Sequence, residues 1–64
     1  MVDKRYMVAQ WLGEIESNGV RWRAYQTGEQ DWVLLRQLSP DGLIETGIEV
    51  AVERSNLKVK LPRP

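Results

Sequence analysis

The chain has 64 residues, nine basic and nine acidic side chains and no net charge. It contains neither Cys nor His, which excludes disulfides, the usual structural zinc site, and thiol or imidazole catalysis. Balanced charge weighs against a typical nucleic-acid domain, whose affinity comes largely from phosphate neutralisation, and removes the repulsion that keeps small proteins apart.

This length implies one domain over 1–64, with residues 1–5 and 62–64 as loose termini. A domain so small buries only about 60% of the surface its unfolded chain exposes. The longest apolar run, Trp32-Val33-Leu34-Leu35, is far too short to span a bilayer, and no secretory signal is visible. The expectation is a soluble, cytoplasmic protein with no membrane partner, metal or cofactor.

The first element has two readings. Val8, Trp11, Leu12 and Ile15 follow a helical i, i+3, i+4, i+7 spacing. Asp3 would cap such a helix over about 3–16, and Asn18-Gly19 would end it. Gly13 inside it would cost about 1 kcal/mol relative to Ala. The strand reading makes Asn18-Gly19 a two-residue type I′ hairpin turn. Ser17 then faces Val20, Glu16 faces Arg21, Ile15 faces Trp22 and Glu14 faces Arg23. Two opposite-charge pairs fall on one face and an apolar pair on the other, each worth about 0.2–1 kcal/mol.

The next strand starts at Val20. A four-residue loop at 27–30 sets Trp22 opposite Leu35, Ala24 opposite Val33 and Tyr25 opposite Trp32. It leaves one flaw, Arg21 facing Arg36, which a bulge or bend at Gly13 or Gly47 could relieve. A loop at 39–42 sets Leu38 opposite Leu43, Arg36 opposite Glu45 and Val33 opposite Ile48. The stretch "IEVAVERSNLKVKL" then alternates at period two, and a loop at 54–57 sets Glu53 opposite Lys58. These registers collect one inner face: Ile15, Trp22, Ala24, Val33, Leu35, Ile44, Ile48, Val50, Val52, Val59 and Leu61. The expected fold is all-β, a five-stranded antiparallel meander curled into a half-open barrel of SH3-like size. The alternative is α+β, with the N-terminal helix packed on a four-stranded antiparallel sheet.

Chemistry is sparse. Glu14 and Glu16 share a face, but Arg21 and Arg23 opposite them keep both ionised and structural. Asp41-Gly42 with Glu45 lacks the ligand density of a calcium loop, and no phosphate-cradling glycine motif is present. The chain is therefore expected not to be an enzyme.

The opposite face collects Tyr25, Trp32, Leu34, Leu38 and Leu43 beside Arg23 and Arg36. Tyr, Trp and Arg are enriched at interface hot spots. The expected function is a non-catalytic adaptor module that binds another protein or a second copy of itself through Tyr25, Trp32, Leu34, Arg36 and Leu38. The bland alternative is a second small core on that face, covered by the N-terminal segment "RYMVAQW". The rival function is nucleic-acid binding through Arg21, Arg23, Lys58, Lys60 and Arg63 with the same aromatics.

Overall fold

The computed structural model describes residues 3–61. A 3-10 turn at Lys4–Tyr6 leads into four strands: β1 (Val8–Ser17), β2 (Val20–Thr27), β3 (Trp32–Leu38) and β4 (Glu45–Glu53). A second 3-10 turn, Arg54–Asn56, follows β4. The strands form one antiparallel sheet in the order β1-β2-β3-β4. The architecture is all-β in kind, but it is an open sheet of four strands among the described residues.

The N-terminal segment is strand from Val8 onward, not helix. Asn18 and Gly19 take φ of 54° and 78°, the positive values that both central residues of a type I′ turn need. That turn sets Ser17 opposite Val20, Glu16 opposite Arg21, Ile15 opposite Trp22 and Glu14 opposite Arg23, as the strand reading of the sequence predicts. The helical spacing of Leu12 and Ile15 arises from a register shift between Trp11 and Gly13. Gly13 sits there at φ 137°, which a side chain would strain. The extra residue turns Leu12 to the same side as Ile15, and both are buried.

The next two registers differ from expectation by even steps, so the two faces keep their membership. Across β2 and β3, Ala24 meets Leu35 and Tyr25 meets Leu34. The turn begins one residue later than expected because Thr27 organises it: its Oγ1 accepts from the Glu29 N–H at 3.1 Å and lies 2.9 Å from the Trp32 carbonyl. Across β3 and β4, Val33 meets Val52 and Arg36 meets Glu49. Here the loop spans 39–44, because Leu43 N–H donates to Asp41 at 3.0 Å and Ile44 N–H to Ser39 Oγ at 3.2 Å. The longer loop leaves Ile44 exposed instead of in the core.

The expected fifth strand is absent: residues 57–61 carry no strand, and Glu53 does not face Lys58. Arg54 explains the departure. Its Nη2 donates to Gln26 Oε1 at 2.6 Å and its Nη1 to the Leu61 carbonyl at 3.1 Å. With those bonds made, Leu57 and Leu61 pack onto one face of the sheet. Among the described residues β1 and β4 are therefore the two edges of an open sheet.

The core lies on that tail-covered face. Leu12, Ile15, Ala24, Val33 and Leu35 form its buried centre, with Trp22, Val52, Leu57 and Leu61 packed against them. Ile48, Val50 and Val59, expected in the core, are exposed. Trp22 Nε1 is buried with no hydrogen-bond partner among the described residues. No helix among the described residues is long and apolar enough to cross a membrane.

Candidate functional site

The opposite face is built differently. Alternation from the Asn18-Gly19 turn puts Glu14, Arg23, Tyr25, Leu34, Arg36 and Glu49 on it. Arg23 and Arg36 are directly opposite each other. This like-charge pair replaces the Arg21–Arg36 conflict of the predicted register, and like charges in that position repel. Carboxylates resolve it. Glu45 Oε2 accepts from Tyr25 Oη at 3.0 Å and from Arg23 Nη1 at 3.4 Å, while Glu45 Oε1 lies 3.9 Å from Arg36 Nη1. Arg36 Nε also donates to Glu49 at 3.4 Å. The Arg36 guanidinium lies over the Tyr25 ring, 5.0 Å from its centroid. Glu14 is the backbone partner of Arg23, as predicted, but the Arg23 side chain bridges to Glu45.

The N-terminal turn packs over the Trp32 end of this face. Gly28 N–H donates to the Lys4 carbonyl at 3.0 Å, and the Arg5 guanidinium lies 5.0 Å from the Trp32 ring centroid. Asp3 anchors Arg5 through a 2.8 Å ion pair. That bond and the Arg5 N–H hold the Asp3 carboxyl below the usual aspartate range.

The expected interaction residues therefore have unequal access. Leu34 is completely buried and Leu38 is 3% exposed, so neither presents a side chain to a partner. They form the buried floor of the face. Tyr25, Trp32 and Arg36 are half-buried. The sequence missed Trp11. It is the backbone partner of Tyr25 and is 59% exposed. Its apparent helical phase with Val8, Leu12 and Ile15 disguised it as a core residue. The Asn18-Gly19 turn argued against that phase, and Gly13 marked the bulge that switches the alternation.

The rival basic set is scattered. Arg23 is held in the carboxylate network, and Arg21 reaches the other end of the sheet, beside Gly42. Lys58 and Lys60 are exposed on the tail. Arg63 lies outside the described residues.

Among the described residues, several carboxylates are engaged in ion pairs and loop hydrogen bonds. Glu45 and Glu49 touch arginines, Asp41 accepts from the Ser39 hydroxyl and the Leu43 N–H, and these bonds hold Asp41 below the usual range. No group of three or more metal-ligating side chains occurs among the described residues. The buried Gln26 and Thr27 satisfy turn carbonyls, with Gln26 Nε2 3.2 Å from the carbonyls of Glu29 and Gln30.

Several apolar side chains are uncovered, among them Leu43 and Ile44 in the loop before β4, and two groups of them lie on strands. One is Trp11 beside Tyr25. The other is β4, where Ile48 and Val50 are 52% and 39% exposed. Comparison of the chain with protein-family models, curated proteins and solved structures gives no significant match.

Proposed function

We propose that this chain is a non-catalytic interaction module that binds another protein or a second copy of itself. The observation that carries the reading is the uncovered apolar surface. Trp11, Ile48 and Val50 stay exposed in a chain that buries little surface to begin with. Trp11 is the backbone partner of Tyr25, whose ring lies under the Arg36 guanidinium, and Trp, Tyr and Arg are enriched at interface hot spots. The arginines are already oriented by Glu45 and Glu49, so ordering them on binding costs less entropy. The same pairing weighs against a phosphate-binding role, since both arginines carry local counter-charges.

The test uses two surface variants of the intact chain, Trp11→Ala and Val50→Lys. Both are expected to unfold at temperatures near the wild type. Complexes of the chain, with itself in sedimentation equilibrium or with peptides recovered from a displayed library, should weaken at least tenfold in one of them. Complexes that neither variant weakens would overturn the reading. So would oligonucleotide binding that steepens at low salt and is lost in Lys58→Glu.

A further inference from the structure

β4 is the edge of the sheet, and no strand pairs with its outer side among the described residues. An edge strand presents a row of unpaired N–H and C=O groups and is a template for another strand. Natural edges are commonly blunted by bulges, Pro, inward charges or a covering segment. From Glu49 to Glu53, among the described residues, β4 has neither bulge nor Pro, and its two charges, Glu49 and Glu53, alternate onto the face away from the core. Its partners on β3 run without interruption from Arg36 to Trp32, and the irregularity lies earlier, between the pairs Leu38–Glu45 and Arg36–Glu49, where Gly47 takes φ 96°. The strand lines the open side of the core face with Val50 and, next to the bulge, Ile48, both exposed.

We propose, building on the interaction-module reading, that the partner is a second copy of this chain. The two β4 strands pair antiparallel about a two-fold axis at Val50, joining two four-stranded sheets into one of eight. The charge pattern and the strand's limits leave one register open to a second copy. Residues directly opposite in an antiparallel pair point to the same face. Centring the axis on Glu49 sets Glu49 against Glu49 and Glu45 against Glu53. Centring it on Ala51 sets Glu49 against Glu53. Centring it on Val50 sets Glu49 against Ala51, Glu53 against Gly47, Ile48 against Val52 and Val50 against itself. No two glutamates then meet, and the exposed apolar side chains of both copies cover one another beside the two cores. This ladder ends at Gly47, and a slide further toward the N-terminus of β4 runs it through the bulge. A slide the other way runs out of strand at the Arg54–Asn56 turn. The pattern is thus self-complementary, as an isologous two-fold contact requires. Glu49 is bonded to Arg36, which softens the remaining charge, and zero net charge gives the copies no long-range repulsion.

The basic tail of a second copy, Lys58-Val59-Lys60, is the competing strand for this edge. Its own chain already holds it: Arg54 bonds the Leu61 carbonyl, and Leu57 and Leu61 pack on the core.

The chain has no cysteine, so single-cysteine variants report the pairing directly. Under mild oxidation Val50→Cys should convert to a disulfide dimer at least tenfold faster than Glu53→Cys. Ile48→Cys mixed with Val52→Cys should give the heterodimer in preference to either homodimer. Val50→Lys, at an exposed position, should retain the wild-type circular dichroism spectrum and weaken dimerisation at least tenfold in sedimentation equilibrium. Equal crosslinking of Val50→Cys and Glu53→Cys would overturn the proposal. So would preferential crosslinking between Glu49→Cys and Lys60→Cys, or a dimer unaffected by Val50→Lys. A chain that stays monomeric yet binds library peptides in a Trp11-dependent way also overturns it, while leaving the interaction-module reading in place. A monomer that binds nothing overturns both.

Discussion

The two edges of the sheet solve the same problem in opposite ways. β1 (Val8–Ser17) and β4 (Glu45–Glu53) are of similar length, and each pairs with one neighbour. β1 carries register shifts at two places, between Val8 and Gln10 and between Trp11 and Gly13. Those shifts bend its outer side and turn Leu12 into the core beside Ile15. β4 is irregular only near Gly47 and runs straight to Glu53. It leaves Ile48 and Val50 in solvent. An irregular edge resists further pairing, whereas a straight one stays open to another strand.

The largest expected effect separates the edges by stability. Leu12→Ala removes a side chain that is 8% exposed and should destabilise the chain by about 2–4 kcal/mol. For so small a domain this is much of its total stability. Ile48→Ala should cost under about 1 kcal/mol in dilute solution, where no second copy covers it. Urea unfolding of both variants checks the contrast, and equal losses would mean that β4 is already covered.

The next effect tests the bulge. Gly13 lies in the left-handed half of backbone space at φ 137°, and nothing stands within 4 Å of the place a Cβ would take. Gly13→Ala should therefore cost about 1–3 kcal/mol through backbone strain alone. Thermal unfolding measures it, and a neutral substitution would show that the bulge does not hold β1 in shape.

How much of this was legible beforehand depended on what set each register. Asn18-Gly19 is short and demands positive φ at both residues, so residues 14–23 paired as their types predicted. The later loops are closed by side chains, Thr27 in one and Ser39 with Asp41 in the other, and residue counting alone misplaced both registers. Period-two alternation survived, because each error was an even number of residues. That is why Tyr25, Arg36 and Leu34 share a face as expected, although Leu34 lies beneath it. The tail was misjudged for another reason. "KVKL" alternates well enough for a strand, but Arg54 binds Gln26 and the Leu61 carbonyl across distances that no local pattern reveals. Trp11 was hidden because one bulge makes a strand imitate helical spacing.

A smaller effect concerns the start of β4. Glu45→Gln keeps a hydrogen-bonding oxygen but removes the charge between Arg23 and Arg36. The groups are about one-third exposed, so solvent screening limits the loss to about 1 kcal/mol. The loss should shrink further in high salt, which thermal unfolding across a salt series would show.

The smallest effect is a pH dependence. Hydrogen bonds from Ser39 and Leu43 depress the Asp41 carboxyl, and those from Arg5 depress Asp3. A depressed folded-state value means that the stabilisation is present above the ordinary aspartate range and is lost as pH falls through the folded-state value. Unfolding temperature should therefore decline in acid below about pH 4. The decline should be shallower in Asp41→Asn, and an identical acid profile would show that the loop carboxylate contributes nothing.

Amide hydrogen exchange as a function of protein concentration tests the difference between the edges most directly. Amides of Ile48–Val52 on the outer side of β4 should exchange quickly in dilute solution and become protected as concentration rises, while β1 stays unchanged. Exchange that does not depend on concentration in β4, or protection that rises in β1 instead, would contradict the self-pairing of this edge.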